Sequence, residues 1–335
     1  MTNDQPVVSI VMPFFNTPVQ FMREAIESVI NQTFKHWELL IVDDGSSGES
    51  ITLAKDYEKK YPLQIRYLEH EGHQNRGAIA SRQLGFLHAR GEYLALLDSD
   101  DIFLPSKLEQ QVAILDDHPE VAMVYGNTLY WYSWTGAAEG LSRDYMPVLG
   151  VPTGITIHPP QLLPRYLLGK SAVPCTCSLL ARRQTVQEIG GFEEIYPGMY
   201  EDLVRHFHNM YEDQVFYVKM ALHSTIIVSD SCWDKYRQHP ESLTEVTKSS
   251  GLNRVTRMAF LKLLEEYLSQ KNITDPDVWL AVKRELWYHR GLGARPMHGT
   301  IIKLGMRVKK WLLRIEEWIL PVQLRRWIWV RELSH

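Results

Sequence analysis

Cysteine is almost missing from this chain: Cys175, Cys177 and Cys232 are the three among 335 residues. So few, and an odd number, exclude a disulfide framework and make a reducing compartment the expectation. Cys175-Thr176-Cys177 has half the spacing of a metal site. Without a second pair, two such thiols are expected to be buried small apolar residues. No uninterrupted apolar stretch approaches the roughly 20 residues that span a bilayer. The N-terminus carries Asn3 and Asp4 before the strand-like run at Val7, and so lacks the basic start and apolar segment of a secretion signal. A cytoplasmic location is therefore expected. Basic residues are not in excess: 36 Lys and Arg face 40 Asp and Glu, for a formal net charge of -4. That balance excludes a general nucleic-acid binder, whose footprint would be basic. Glycine-rich phosphate loops are missing as well. Where a dinucleotide-binding fold would show G-x-G-x-x-G after its first strand, this chain reads Met12-Pro13-Phe14-Phe15-Asn16, and it has no P-loop. If a diphosphate is bound, a metal held by carboxylates must take the charge that glycine loops handle elsewhere.

What is present is an ordinary globular composition, 45% hydrophobic and 23% charged, in a chain long enough for one large domain or two moderate ones. The first part alternates strand-like and helix-like segments, which predicts an α/β fold with a mostly parallel sheet. Strands are expected over Val7 to Met12, Trp37 to Val42, Gln64 to Leu68 and Tyr93 to Leu97, with helices over Val19 to Asn31, Glu49 to Tyr61 and Gly77 to Ala89. Ligands in such sheets gather at the carboxyl ends of strands, and Asp44 and Asp100 stand at two of these ends. Beyond Val121 the pattern loosens into an aromatic stretch, Tyr125 to Trp134, and a proline-containing loop. Those aromatics suit stacking on sugars and core packing alike. Helical segments run from about Leu252, including Arg257 to Leu268 and Val278 to Trp287.

The stretch Leu96-Leu97-Asp98-Ser99-Asp100-Asp101 ends an apolar run with carboxylates two residues apart. Continued as a strand, it would point Asp98 and Asp100 the same way, with Asp101 opposite or beginning the next turn. Two hard oxygen ligands on one side suit Mg²⁺ or Mn²⁺, ions that keep coordination positions open for phosphates. The alternative is an acidic turn ahead of a helix from about Ser106.

Taken as an ordered set, Val8 to Asn16, Val42-Asp43-Asp44-Gly45-Ser46, Asn75-Arg76-Gly77, Ser81-Arg82, Gly91-Glu92-Tyr93, Leu97 to Asp101, Gly190-Gly191-Phe192 and Glu212-Asp213-Gln214 resemble the family-two glycosyltransferases of GT-A fold. The resemblance covers about Val7 to Pro240. It implies a nucleotide-sugar-binding half over 1–125, an acceptor-binding and catalytic half over 126–245, and leaves 246–335 as a helical C-terminal extension. The implied reaction moves a sugar from a nucleoside diphosphate sugar, here a UDP-linked one, to a saccharide or glycoconjugate acceptor with inversion.

By position in the motifs, the resemblance places Pro13, Phe15, Asn16, Asp44, Arg82, Asp98 and Ser99 on the nucleotide-sugar. It places Asp100, Asp98 and His239 around Mn²⁺ or Mg²⁺, and Asp213 as the base that takes the acceptor proton. The chemistry agrees, since a carboxylate accepts a uracil N–H and a guanidinium holds base or phosphate oxygens. An echo of Tyr211-Glu212-Asp213 at Tyr200-Glu201-Asp202 offers a second carboxylate pair. Only the later pair leads into a helix-like run, Gln214 to Leu222, so Asp213 is preferred. His206, His208, His70 and His73 lack such context and are expected on loops or the surface. Gln83 and Phe15 depart from the family's more frequent Asn and Tyr. The competing functions are a sugar nucleotidyltransferase and a non-catalytic carbohydrate-binding or assembly protein of the same fold. The tail from Thr300 is basic, with Trp311, Leu312, Ile315, Trp318 and Ile319 at helical spacing. Such a stretch suits peripheral membrane contact through 300–335, a core cover or a subunit contact equally.

Overall fold

The apolar runs and amphipathic stretches resolve, in a computed structural model that describes residues 5–192, 212–240, 242, 245 and 253–291, into one mixed sheet with helices on both faces. The first half is β1 (Val8–Phe14), α1 (Val19–Ile30), β2 (Trp37–Asp43), α2 (Glu49–Lys60), β3 (Ile65–Glu69), α3 (Ala78–His88) and β4 (Tyr93–Leu96). The second is β5 (Ile102–Phe103), α4 (Lys107–Asp117), β6 (Met123–Trp131), the short α5 (Ala138–Leu141), β7 (Thr156–Ile157), α6 (Leu162–Leu167), β8 (Leu180–Arg182) and α7 (Arg183–Glu188). It ends with α8 (Glu212–His223), β9 (Ile226–Arg237), α9 (Asn253–Gln270) and α10 (Pro276–Gly291).

Strands β3, β2, β1 and β4 are parallel neighbours in that order, the α/β unit that the alternation predicts. Every residue of β1, β2 and β4 is buried, as a parallel strand covered on both faces requires. The two-residue alternation divides each strand between two cores. Val8, Ile10, Met12 and Phe14 of β1 join Met22, Ala25, Ile26 and Val29 of α1, with α2 and α4 on the same side. Val11 turns the other way, with Leu40, Val42, Leu94 and Leu96, toward α6 and α8. Met22, Ala25, Ile26 and Val29 recur at three- and four-residue steps, so one face of α1 meets the sheet.

Beyond β4 the sheet continues antiparallel through β8 to β6, then parallel to β9, with β5 and β7 both antiparallel to β9. The twelve-residue β9 follows from no periodicity in the sequence. Its register with β6 shifts around Gly126, where a Cβ would stand 2.4 Å from the Ser231 carbonyl oxygen and against the Trp233 ring. Phe260, Leu261, Leu264 and Leu268 of α9 and Val278, Ala281, Val282 and Leu286 of α10 share the core of β4 and α8. The chain falls into two compact units, Met1–Leu286 and Trp287–His335; of the second, only Trp287–Gly291 is described. Glu201-Asp202, His206, His208 and the basic 300–335 tail lie outside the described residues. Among the described residues no helix is long and apolar enough to cross a membrane.

The acidic tip differs from a continued strand. β4 stops at Leu96, and the Asp101 N–H bonds the Asp98 carbonyl at 3.0 Å, so Asp98 to Asp101 form a turn. The change of direction sends the three carboxylates to three different partners.

At the opposite end of the sheet, a buried carboxylate ties β1, β2 and the start of β4 together. Glu38 Oε1 accepts from Ser9 Oγ at 2.7 Å and the Arg90 N–H at 2.8 Å, and Oε2 accepts from Arg90 Nε at 2.9 Å. Burial alone would raise the Glu38 pKa, but the bonds from Ser9 and Arg90 outweigh it and hold the carboxyl below its ordinary value. A lowered pKa contributes stability that is present above the unfolded-state value of about 4.3 and is lost as pH falls through the folded value. Glu38→Gln is therefore expected to destabilise the fold by about 1–3 kcal/mol at neutral pH. In denaturant titrations the gap between variant and wild type should narrow below about pH 4; a gap unchanged at low pH would contradict this account.

Candidate functional site

Three loops meet at the carboxyl ends of β1, β2 and β4. Pro13 is buried in the last turn of β1, and Phe15 just beyond it is 52% exposed. Asn16 has φ +49°, a conformation asparagine tolerates better than most residues. Its N–H donates to Ser46 Oγ at 3.0 Å, and its Oδ1 accepts from the Ser47 N–H at 2.8 Å, which ties the β1 loop to the β2 loop. Thr17 Oγ1 and Ser99 Oγ lie 2.7 Å apart and tie it to the acidic turn. Asp44 is buried, and its Oδ1 accepts from the Arg76 and Gly77 N–H groups at 2.7 and 3.0 Å. Its Oδ2 also accepts from Gly77, at 3.0 Å. The neighbouring Gly45 has φ +79°, and a Cβ there would stand 2.7 Å from the Asn75 nitrogen, so only glycine lets the two loops approach this closely.

Arg82, buried on α3, joins this group to the far side of the cleft. Its Nη2 donates to Asp98 Oδ1 at 2.6 Å. It also acts electrostatically on Asp213, the second residue of α8. Burial raises the pKa of Asp213. The Gln214 N–H, which donates to Asp213 Oδ1 at 2.7 Å, and the Arg82 charge pull it back, while the Asp98 charge pushes it up. Asp98, Arg82 and Asp213 thus act on one another electrostatically. Tyr130 and Tyr217 feel the Asp213 charge as well, which places the end of β6 and the body of α8 around the same space.

The third carboxylate of interest, Asp100, turns to β9 and the residues after it. Its Oδ2 lies 2.9 Å from His239 Nε2. The backbone of this turn is held by Arg237, whose N–H donates to Asp101 Oδ1 at 2.9 Å and whose Nε donates to the Asp100 carbonyl at 2.7 Å. Its Nη2 reaches Glu24 Oε2 at 2.6 Å. The guanidinium is packed by Phe21, Trp131 and Trp134, with ring centroids 4.3, 4.6 and 5.4 Å away. The aromatics Trp131 and Trp134 therefore form a cage for Arg237. Asp100 and His239 are the adjacent hard and borderline ligands that could hold Mg²⁺ or Mn²⁺. Asp98 faces Arg82, and the three ligand atoms of Asp98, Asp100 and His239 do not converge on one point.

Several residues of the site carry no sequence signal. His70 is a loop residue but not a surface one: it is 7% exposed and its Nε2 lies 2.9 Å from Ser81 Oγ on α3. Burial lowers its pKa against the pull of Asp44, so it stands neutral beside that carboxylate. His73 is on the surface, bonded to Glu69 and to the Ser46 carbonyl. Gln83, the departure from asparagine, accepts the Phe192 N–H at 2.9 Å and so fastens the Gly190-Gly191-Phe192 turn to α3. Thr17, Tyr217 and Arg237 belong to the site through contacts distant in sequence, which no local spacing announces.

The family model described as "Glycosyl transferase family 2" matches residues 9–190, which carry the strand ends, Arg82 and the acidic turn. The chain belongs to this family. Among curated relatives, the uncharacterized glycosyltransferase MJ1057 of Methanocaldococcus jannaschii is 28% identical over 177 residues, 50% of this chain and 59% of that protein. The chain thus spans less than two thirds of that relative's length. Among solved structures, residues 1–349 of S. aureus TarS in complex with UDP-GlcNAc match at TM-score 0.57 and 17% identity, over 86% of this chain and 73% of that one. The mannosyltransferase PcManGT of Pyrobaculum calidifontis, in complex with GDP-Man and Mn²⁺, matches at TM-score 0.51 and 13% identity, over 92% and 81%. These likenesses show the fold, GT-A.

Within that fold Arg237 is the brace of the acidic turn. Arg237→Met should cost on the order of 2–3 kcal/mol, less than a fully buried pair because Glu24 is partly exposed. Arg237→Lys should recover only part of it, since the planar fork is lost. Thermal or denaturant unfolding of the two variants measures both, and a neutral Arg237→Met would show that the cage is decoration.

Proposed function

We propose that this chain is a metal-dependent inverting glycosyltransferase that moves a sugar from a UDP-linked donor to a hydroxyl of a saccharide or glycoconjugate acceptor. The observation that carries this reading is that Arg82 bonds Asp98 and its charge also acts on Asp213, while Asp100 of the same acidic turn meets His239. Family membership supports glycosyl transfer, and structural neighbours of this fold bind UDP-GlcNAc, or GDP-Man with Mn²⁺.

In this reading the nucleotide lies across the carboxyl ends of β1, β2 and β4. Phe15 offers an exposed ring to the base, Pro13 and Asn16 shape its floor, and Asp44 Oδ2 keeps a lone pair for a ring N–H. Ser99 and Asp98 face the ribose, and Arg82 meets phosphate oxygens while bonded to Asp98. Asp100 and His239, with Asp98 at longer reach, would hold the cation. Bound there, Mn²⁺ or Mg²⁺ supplies positive charge that offsets the negative charge growing on the departing diphosphate.

The acceptor oxygen attacks the anomeric carbon from the side opposite the diphosphate, and the bond to the diphosphate breaks as the new one forms. Asp213 accepts the hydroxyl proton, which becomes acidic only as that oxygen gives up its electrons. Its raised pKa makes it a better proton acceptor than an exposed aspartate, and the Arg82 charge works against that rise in favour of the ionised form. Tyr130 and Tyr217 line the acceptor side.

The test is release of nucleoside diphosphate from a panel of UDP- and GDP-sugars, with Mn²⁺, Mg²⁺ or chelator, and, in parallel, release of pyrophosphate from UTP or GTP supplied with sugar 1-phosphates. Metal-dependent UDP release is expected; pyrophosphate in its place would make the chain a nucleotidyltransferase. Asp213→Asn should lower kcat by about 10²–10⁴ and leave donor affinity nearly unchanged. The wild-type rate should fall on an acid limb that lies above the ordinary carboxylate range, because only the ionised Asp213 takes the proton. Asp100→Ala should abolish the metal-dependent rate. Retention of full turnover by either variant would remove that residue from its role.

A further inference from the structure

All three cysteines gather behind the acidic turn, around side chains the glycosyl-transfer reading does not use. Cys175 precedes and Cys177 lies within the single turn Thr176–Ser178, which brings their sulfurs to 3.3 Å. A carboxylate oxygen of Asp101 completes a group of three ligand atoms that all lie within 4.8 Å of one another. Asp101 and Cys177 are each 0% exposed. Asp101 Oδ1 accepts the Arg237 N–H, but Oδ2 is buried with no hydrogen-bond partner. A carboxylate oxygen left bare inside a protein is costly. The two thiols lie within 4.8 Å of an Asp101 oxygen, and the Cys177 thiol donates to Asp234 Oδ1 at 3.2 Å. Lys107, likewise 0% exposed, supplies positive charge beside the cluster: Cys175 and Cys177 both act on it electrostatically.

We propose that Asp101, Cys175 and Cys177 form a second metal site, for a thiophilic divalent cation of the zinc class, behind the turn that carries Asp100. Zinc takes thiolate sulfurs at about 2.3 Å and carboxylate oxygens at about 2.0–2.2 Å in a tetrahedron, so two sulfurs on one ion stand about 3.8 Å apart. The 3.3 Å pair needs to open by only a fraction of an ångström. The fourth position falls to water on the side of Cys175, the half-buried member. Thiolates select zinc over magnesium or manganese, while Asp100 and His239 offer the opposite preference, so two neighbouring sites divide the cations by ligand type. The other three-ligand group, Asp43, Glu69 and His73, differs in having its acids bonded to the Tyr67 hydroxyl and its ligands mostly exposed. The ion would tie the β8 side of the sheet to the turn, and this role does not depend on the donor or the reaction.

The experiment loads the full chain with Zn²⁺ or Co²⁺, removes loose metal by gel filtration, and measures retained metal and absorption. Stoichiometric zinc is expected, and the Co²⁺ form should show thiolate-to-cobalt charge transfer in the near ultraviolet with intense visible bands. Cys177→Ser and Asp101→Asn should each lower zinc retention by about tenfold or more, since even groups that only support a ligand are worth that much. Asp100→Ala and His239→Ala should leave the spectrum unchanged. Because a variant can fail to fold, the wild-type thiols give a second readout: bound zinc should slow their reaction with a disulfide reagent, and a chelator should restore it. Cobalt bound without thiolate bands, or bands lost in Asp100→Ala and kept in a Cys175→Ser, Cys177→Ser double variant, would overturn the proposal. So would thiols whose reactivity ignores zinc, which would mark a dry cluster of protonated groups.

Discussion

One guanidinium stands where two carboxylates require it. Arg82 donates to Asp98 at 2.6 Å and its charge lowers the pKa that burial raises at Asp213. Without that cation, nothing would offset the Asp98 charge, which together with burial pushes the Asp213 pKa up. The donor side and the proposed base therefore depend on the same residue. α3, which carries Arg82, is correspondingly well anchored. Ser81 is bonded by His70, Gln83 fastens the Gly190-Gly191-Phe192 turn, and Lys219 on α8 reaches the Gly191 carbonyl at 2.9 Å.

The parallel half of the sheet is a consequence of apolar runs that are buried on both faces. The mixed half is a consequence of long-range pairing around β9. β9 delivers Trp233 to the core, Arg237 to the acidic turn and, just past its end, His239 to Asp100. The aromatic cage around Arg237 lets a cation be fully buried with each of its bonds directed at a specific oxygen.

The legible part of the fold was local. The strands of the first half and helices α1 to α3 fall within a few residues of the expected limits, because hydrophobic periodicity is a short-range signal. The same holds for the acids: Asp44, Asp98 and Asp100 sit at strand ends because carboxylates after an apolar run have nowhere else to go. β9 and Arg237 were not legible, since their roles rest on pairing between segments about a hundred residues apart. The alternating strand continuation expected at Asp98 to Asp101 fails because the chain turns there. Cys177 is buried as expected and Cys175 only partly so, but their neighbour Asp101 is set by tertiary structure alone. His70 is on a loop, as expected, but it is buried, as a loop can be when another helix covers it.

The bonds from Asn16 to Ser46 and Ser47, and from Thr17 to Ser99, make the three strand-end loops a single rigid rim. A rim of this kind loses little freedom when a ligand arrives, so affinity is not spent on ordering it. It also cannot be retuned piecemeal. A change that widens the groove shifts hydroxyls that belong to neighbouring loops, so a new ligand preference would have to arise through coordinated replacements in all three.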